Sequence, residues 1–151
     1  MVILRLKKGE EPPYDLLLLA DPSKEMVDSY LHEGECYIAK MGAETIGVYV
    51  LVPLNKDTIE LKNIAVKENW QGKGIGKQLV MDAIQSARNK GYETIEVGTG
   101  NSSIGQLALY QKCGFRITGI DFDFFTRNYP EEIYENGIRC RDMLRLTKKL
   151  R

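Results

Sequence analysis

Side chains that bind metals or form disulfides are scarce in this chain. It has one histidine, His32, and its three cysteines are widely spaced and form no C-x-x-C pair. This set supports neither a disulfide framework nor a zinc site, so we expect no metal and a protein of the reducing cytoplasm. The cysteines are Cys36, Cys113 and Cys140.

An excess of charge and a long apolar run are also missing. Basic and acidic side chains number 21 each, so the chain lacks the positive charge that draws proteins to nucleic acids or acidic membranes. The longest apolar run, Leu16 to Ala20, is too short to span a membrane, and no signal-peptide pattern precedes it. We therefore expect no nucleic-acid or membrane partner, and we expect residues 1–151 to form one domain.

The chain does have a glycine-rich turn between a predicted strand and a predicted helix. Gly72, Gly74 and Gly76 occupy alternate positions after a strand that ends at Val66. They leave backbone N–H groups uncovered at the start of the helix, where the helix dipole adds partial positive charge. The turn predicts an anion site, with phosphate as the favoured ligand.

The spacing of the glycines excludes two common phosphate loops. A P-loop requires glycine where Gln71 stands and Ser or Thr after Lys77, and both are absent. Neither Gly72 nor Gly74 begins the G-x-G-x-x-G fingerprint of dinucleotide-binding folds. The pattern that fits is Q-x-x-G-x-G, which starts at Gln71 and ends at Gly76.

This pattern, directly after a strand, resembles the pyrophosphate loop [QR]-x-x-G-x-[GA] of the GNAT family of N-acetyltransferases. A second motif, L-Y-x-x-x-G-F over Leu109 to Phe115, is similar to the family's motif at the end of the next helix. The resemblance extends from Val2 to about Arg127. It implies an α/β (mixed α+β) fold, with a central mixed, mostly antiparallel sheet of about seven strands flanked by about four helices.

The resemblance also implies a reaction and a cofactor site. Acetyl-CoA would be the co-substrate, attacked directly in a ternary complex by a primary amine of a small molecule, peptide or protein. One backbone N–H of the strand before the loop would polarise the thioester carbonyl. The implied cofactor-binding residues are Ile64, Ala65, Val66, Gln71, Gly72, Lys73, Gly74, Ile75, Gly76 and Lys77, with Asn101 or Ser103 on the cofactor arm.

The strand before the loop changes its apolar phase. Ile59 and Leu61 share one face, whereas Ile64 and Val66 share the other, so a bulge near Lys62-Asn63 is predicted. If the strand also separates from its neighbour there, its free backbone groups can pair with an amide-bearing pantetheine arm. A bulge that only restores packing is the alternative.

Two residues are expected to move protons. In the family, the tyrosine at the position of Tyr110 protonates the leaving thiolate, and a base on the strand of Glu60 accepts the amine proton, through a water where needed. A core role for Tyr110 and a solvent-facing role for Glu60 are the alternatives. The other candidate bases are Glu96, Asp121 and Asp123.

The start of the helix that carries Tyr110 departs from the family pattern. Many members have Asn seven residues before this tyrosine, where the present chain has Ser103, and Asn101 lies two residues further away. Ser103 and Gln106 form an S-x-x-Q capping box that predicts the helix start. Gly105 within the helix costs about 1 kcal/mol relative to alanine, which suggests that something packs closely there.

Two short helices are predicted near the N-terminus, where GNAT proteins often form one wall of the acceptor pocket. A Pro-Pro pair opens the first, and Asp21-Pro22 offers a cap and a first-turn proline for the second, which runs to about Leu31. The candidate substrate contacts are Tyr14, Tyr30 and His32, for which core, surface or capping roles are the simpler alternative.

The C-terminal part is rich in aromatic and β-branched residues. One long strand is predicted over Phe115 to Phe125, and a last strand over Ile138 to Thr147. The long strand would place its aromatics on both faces, so at least one must contact the acceptor, a partner subunit or the connection over Asn128 to Gly137. These aromatics are Phe122, Phe124 and Phe125.

Aromatic residues interleaved with Asp121, Asp123 and Arg127 suit a pocket that holds a cationic amine between a carboxylate and a ring face, at ~1–2 kcal/mol per desolvated contact. We therefore predict that Phe122 to Tyr134 lines the acceptor site and that accepted amines carry a positive charge near the reacting group. Packing within the hairpin or in a homodimer is the alternative.

A non-catalytic acyl-CoA-binding module on the same fold is the second function that the sequence allows. Such a module would keep the glycine-rich loop but would need neither Tyr110 nor Glu60. The presence of both residues favours the enzyme.

Overall fold

A seven-stranded sheet forms the centre of the computed structural model, which describes residues 1–151. Its strand order is β1-β2-β3-β4-β5-β9-β6, and only β4 and β5 run parallel. A separate two-stranded ribbon consists of β7 and β8. The strands are β1 Val2–Arg5, β2 Glu35–Met41, β3 Glu44–Pro53, β4 Thr58–Val66, β5 Thr94–Gly100, β6 Arg116–Asp121, β7 Tyr134–Glu135, β8 Ile138–Arg139 and β9 Met143–Lys149.

Helices cover both faces of the sheet. They are α1 Tyr14–Ala20, α2 Lys24–Glu33, α3 Ile75–Asn89, α4 Ile104–Lys112 and α5 Phe124–Asn128, with a short 3₁₀ turn at Glu68–Trp70. The mixed, mostly antiparallel seven-stranded sheet confirms the predicted fold class. The structure has one α-helix more than expected, because α5 lies in a segment that was predicted as strand.

Two apolar layers hold the helices to the sheet. Val48 and Val50 of β3 pack with α1 and α2 on one face, whereas Tyr49 and Leu51 pack with α3 and α4 on the other. Each such side chain, once fully buried, contributes ~1.5–3 kcal/mol. All three cysteines are buried free thiols.

No helix in the structure combines the length and the apolar character needed to cross a membrane.

A bulge and a gap interrupt the sheet at the middle of β4. The pairing of β3 with β4 shifts so that Leu51 faces Leu61 but Val50 faces Asn63, which leaves Lys62 as the extra residue and confirms the predicted bulge. The pairing of β4 with β5 ends at Leu61, and β5 continues beside β9 instead. Within the sheet, the last part of β4 is therefore hydrogen-bonded to β3 alone, which is the separation that pairing with a pantetheine arm would require.

The long strand predicted over Phe115 to Phe125 is wrong beyond Asp121. Asp123 has a left-handed φ of 62°, and its N–H donates to Asp142 Oδ1 at 2.8 Å. This contact turns the chain, and α5 begins at Phe124. The aromatics therefore do not alternate across one strand.

The last strand predicted over Ile138 to Thr147 is also two elements, β8 and β9. The N–H groups of Arg141 and Asp142 donate to the Asn101 side-chain oxygen at 2.8 and 3.0 Å. Because these two N–H groups bond to a side chain and not to a neighbouring strand, the chain between β8 and β9 is not a strand.

The start of α2 differs from the prediction as well. Ser23, not Asp21, is the cap, and its hydroxyl oxygen accepts the N–H of Met26 at 3.2 Å. The helix begins at Lys24, so the Asp21 carboxylate is available for contacts elsewhere.

Candidate active site

The glycine-rich turn exposes a row of backbone donors. Gly74 caps α3 with a left-handed φ of 81° and offers no side-chain bond. The first backbone bond at the helix start runs from the Gln78 N–H to the Gly74 carbonyl at 3.2 Å, so the N–H groups of Ile75, Gly76 and Lys77 have no helical acceptor. A Cβ at Gly72 or Gly74 would meet nothing within 4 Å. Open space in front of free donors fits a bound pyrophosphate.

Gln71 fastens this turn to the end of β4. Its amide donates to the Val66 carbonyl at 2.9 Å. Beside it, the Lys73 ammonium lies 5.7 Å from the centre of the Trp70 ring. The turn is thereby held by a side-chain contact at one end and by α3 at the other.

The separated part of β4 presents free backbone groups. The Lys67 N–H donates to the carbonyl of Ile46, near the start of β3, at 2.8 Å. Because N–H directions alternate along a strand, the N–H groups of Ile64 and Val66 point away from β3 into the gap, and that of Ala65 points towards β3.

Two hollows meet along this part of β4. One, of about 460 Å³, lies over the glycine turn, and the other, of about 500 Å³, lies between β4, α1 and α5. Ile64, Ala65, Val66, Gln71 and Ser103 line both, so together they form one groove across the sheet. We call the first the loop hollow and the second the main cavity.

Gly105 lies on the wall of the loop hollow, and a Cβ there would meet nothing within 4 Å. The predicted close packing at this glycine is therefore wrong in the structure. The glycine adds room to the hollow.

Tyr110 lines the main cavity and is 3% exposed. Its ring packs edge-on against Phe115, with 5.9 Å between ring centres. Burial raises the pKa of the Tyr110 phenol, with the nearby Cys113 as a smaller cause, and no hydrogen bond contributes. The phenol is therefore protonated at neutral pH, and its proton is not committed to another protein group.

Glu60 lines the main cavity and is only 5% exposed, so it is not solvent-facing. Arg145 donates to Glu60 Oε2 at 3.0 Å and, through its other terminal nitrogen, to Glu96 Oε1 at 3.1 Å. The Lys62 ammonium lies 3.8 Å from Glu60 Oε1. Burial works against the Arg145 charge, but Glu60 and Glu96 outweigh it and raise the arginine pKa. These cations offset the cost of burying the Glu60 charge.

Gly98 makes room for this ion-pair cluster. It faces Arg145 across the pairing of β5 with β9, and a Cβ at Gly98 would lie 2.7 Å from Arg145 Nη1. Sequence reasoning missed both residues. Gly98 lies inside β5, and a glycine inside a strand often marks a close approach of other groups.

The other candidate bases are placed less favourably. Asp121 forms an exposed ion pair with Arg127 at 2.9 Å, and Asp123 is exposed at the start of α5. Glu96 is held by Arg145. Of the four carboxylates, only Glu60 lines the main cavity.

Asn101 and Ser103 have different surroundings. The Asn101 amide contacts only the backbone of the segment between β8 and β9, and the residue lines neither hollow. Ser103 lines both, and its hydroxyl donates to Glu135 Oε1 at 2.8 Å. Ser103 occupies the cap position of α4 but makes no side-chain cap bond, so the predicted capping box is wrong. Glu135 was not predicted.

Both segments expected around the acceptor wall the main cavity. Leu18 to Pro22 and Met26 come from the first, and Phe124, Phe125, Tyr129 and Ile133 from the second. The tyrosine at position 14 instead bonds Asp28 outside the cavity, and His32 is exposed.

An acidic network crosses this wall. The Tyr129 hydroxyl donates to Asp21 Oδ1 at 2.8 Å, and the Tyr30 hydroxyl donates to Asp21 Oδ2 at 3.2 Å. The Asn63 amide donates to the Tyr30 oxygen at 2.8 Å. Burial, followed by the contact with Asp21, raises the pKa of Tyr129, which therefore stays a donor.

Residues 5–115 match the model of the family described as "Acetyltransferase (GNAT) family". Together with the mixed sheet, the separated β4 and the glycine turn before α3, this match shows that the chain belongs to the GNAT family of acetyltransferases.

Similar proteins agree with this assignment. The chain is 64% identical over 146 residues to "Uncharacterized N-acetyltransferase YvbK" of Bacillus subtilis (strain 168), in a match that covers 95% of this chain and 94% of that protein. The crystal structure of a GNAT family acetyltransferase from Elizabethkingia anophelis with acetyl-CoA bound superposes with a TM-score of 0.96 and 57% identity, covering 98% of this chain and 97% of that one. A Bacillus subtilis acetyltransferase in complex with CoA gives a TM-score of 0.93 and 60% identity, covering 97% of each chain.

The protein is thus an N-acetyltransferase that uses acetyl-CoA as its co-substrate. Catalytic acetyl transfer is supported over the non-catalytic acyl-CoA-binding module. The structure contains no group of three or more His, Cys, Asp or Glu side chains that could hold a metal ion.

Proposed function

We propose that the enzyme acetylates a primary amine of a small molecule or peptide held in the main cavity. The observation that carries this proposal is that Glu60, Tyr110 and the free N–H groups of β4 border one cavity. Attack is direct, because the three cysteines are not arranged for a covalent route: no histidine besides the exposed His32 exists to activate them.

Different residues of the groove bind different parts of acetyl-CoA. The N–H groups of the turn from Gly72 to Lys77 hold the pyrophosphate. The strand Ile64 to Val66 pairs with the pantetheine arm, and one of its N–H groups polarises the thioester carbonyl. Ser103 contacts the arm in preference to Asn101, whose side chain is occupied by the backbone of the C-terminal segment.

Glu60 accepts a proton from the amine, and Tyr110 donates a proton to the leaving thiolate. An amine reaches the enzyme mostly as ammonium and must lose a proton before it attacks, and Glu60 accepts that proton directly or through a water. The nitrogen bonds to the acetyl carbon and becomes cationic, the C–S bond breaks, and the thiolate takes the phenol proton of Tyr110. The nitrogen then gives its second proton to water, which leaves the neutral amide. Proton exchange with water then resets both residues.

A panel of amines assayed for release of free CoA tests the proposal. Turnover of at least one amine, with the rate lost in Glu60→Gln mainly at low pH where the amine most needs a base, is expected. An Asp28→Asn variant removes a carboxylate far from the cavity and serves as the matched control. Equal loss of rate at every pH in Glu60→Gln would assign Glu60 a structural role instead.

The proposal also covers the domain organisation of the enzyme, its location in the cell and its assembly. Residues 1–151 act as one domain, which is supported by the insertion of β9 between β5 and β6. The enzyme works in the cytoplasm, in keeping with its three free thiols. A homodimer is the assembly to test, by light scattering on the purified protein.

A further inference from the structure

Of the three carboxylates that line the main cavity, Glu60 has cations as partners, whereas Glu135 and Asp21 have none within ion-pair distance. Glu60 faces Arg145 and Lys62. Glu135 accepts the hydroxyl of Ser103 on the cofactor side of the groove. Asp21 has no cation within salt-bridge distance, and its partners are two tyrosine hydroxyls and the Ser23 N–H. Its negative charge is therefore directed at the cavity without a counter-ion from the protein.

Asn63, which is linked to Asp21 through Tyr30, has an acceptor with no partner. It lines the cavity and is 4% exposed. Its amide nitrogen donates to the Leu17 carbonyl at 3.1 Å and to the Tyr30 hydroxyl. Because the Leu17 carbonyl can only accept, these bonds fix the orientation of the amide, and Asn63 Oδ1 is left without a donor. Asn63 Oδ1 has less than 1 Å² of accessible surface, so a donating ligand in the cavity reaches this acceptor, which is costly to leave without a partner, only after the side chain shifts towards it.

We infer that Asp21 and Asn63 form a subsite for a second positive charge on the acceptor, so that the enzyme prefers diamines and other amines with a distal ammonium group. This inference rests on the proposed function. An ammonium supplies both the donor that Asn63 lacks and the charge that Asp21 lacks, whereas a neutral hydroxyl supplies only the donor.

The end of α1 and two aromatic rings on the cavity wall also favour a cation near Asp21. Leu18, Leu19 and Ala20 end α1 beside the cavity, and carbonyls at a helix C-terminus carry partial negative charge. The rings of Phe125 and Tyr129 stack at 5.7 Å on the same wall, where an aromatic face attracts cations. The Lys62 ammonium also lines the cavity, 5.8 Å from the centre of the Tyr30 ring, but its ion pair is with Glu60.

The geometry of β4 sets the distance between the reacting amine and the distal ammonium group of the acceptor. Asn63 directly precedes Ile64 in β4, and a strand rises ~3.3 Å per residue, so the subsite lies roughly 3–10 Å along the strand from the N–H groups of Ile64 and Val66. That span corresponds to a chain of a few carbon atoms between the reacting amine and the distal ammonium.

The test compares putrescine with pentylamine, in which a methyl group replaces one ammonium. With acetyl-CoA saturating, kcat/KM should be at least about tenfold higher for putrescine, mainly through KM. Asp21→Asn should bring the ratio of the two values close to one. Asp28→Asn, which also removes a carboxylate that accepts a tyrosine hydroxyl, should leave the ratio unchanged.

A second variant separates the loss of the Asp21 charge from a folding defect in Asp21→Asn. Tyr129→Phe removes one donor to Asp21 but keeps the charge, so the preference for putrescine should persist or increase. Circular dichroism checks that each variant is folded. A ratio near one in the parent would overturn the subsite, and so would a preference for putrescine that persists in folded Asp21→Asn.

Binding of putrescine to the CoA-loaded protein, measured by calorimetry, separates the two proposals. Binding that depends on Asp21 without turnover of any amine would support the subsite and refute the proposed proton-transfer roles. Turnover of both amines without preference would refute the subsite alone. Absence of both binding and turnover would refute both.

Discussion

The ion pair between Arg145 and Glu60 gives the sharpest test of how the site is built. Glu60 is 5% exposed and lies next to Glu96 in the register of β4 and β5, and one guanidinium spans both carboxylates. Replacing Arg145 by methionine keeps the apolar stem but leaves the Glu60 charge buried beside a second carboxylate. Breaking a buried pair in this way costs about 3–5 kcal/mol.

Chemical denaturation of the Arg145→Met variant measures that loss directly. At ~2–4 °C per kcal/mol for a chain of this size, Tm should also fall by roughly 6–20 °C. Adding Glu60→Gln to the variant should restore a large part of the stability, because the buried charge is then gone.

Arg141→Met is the matched control, because Arg141 is exposed and forms no ion pair. It should change stability by less than about 0.5 kcal/mol. A loss below about 1 kcal/mol in Arg145→Met, or no recovery on adding Glu60→Gln, would show that Arg145 does not compensate Glu60. The role of Arg145 in holding the base would then have to be abandoned.

Three further predictions concern single residues. Tyr110→Phe should lower kcat by roughly ten- to a thousandfold with CoA affinity almost unchanged, and kcat within about twofold of the parent would make this residue a packing residue. Because burial raises its pKa above the ordinary value, kcat of the parent should not decline through tyrosine ionisation below about pH 10. Gly74→Asp should nearly abolish CoA binding in calorimetry, since φ is 81° there and a carboxylate would face the pyrophosphate; unchanged affinity would move the phosphate elsewhere. Burial raises the pKa of Cys36 to about 12, so this thiol should react with a disulfide reagent only after unfolding, and rapid labelling of the folded protein at Cys36 would contradict the structure.

Local features of the chain were readable from the sequence. The Q-x-x-G-x-G turn predicted the glycine turn and the helix start of α3, because left-handed glycines and a helix start depend on residues that are adjacent in the chain. The change of apolar phase between Leu61 and Ile64 located the bulge, because the side-chain period of a strand is two. The L-Y-x-x-x-G-F motif likewise singled out Tyr110, because its residues lie within one helix end and the turn that follows it.

Other features were decided only by tertiary contacts. The turn at Asp123 depends on Asp142, 19 residues later, so strand propensity around Phe124 was misleading. Arg145 reaches Glu60 across 85 positions, and no local pattern in the sequence indicated this contact.

The acidic subsite shows the same dependence at longer range. Asp21 and Tyr129 are 108 residues apart, and no local pattern links them. The sequence alone predicted the glycine-rich turn at the start of a helix and the bulge in β4, because these follow from local backbone geometry and periodicity, while the resemblance of two motifs to the GNAT family implied the fold class and the role expected of Tyr110. The tertiary structure decided which carboxylates meet a cation and which face the cavity, because charge compensation depends on segments that only the folded sheet brings together.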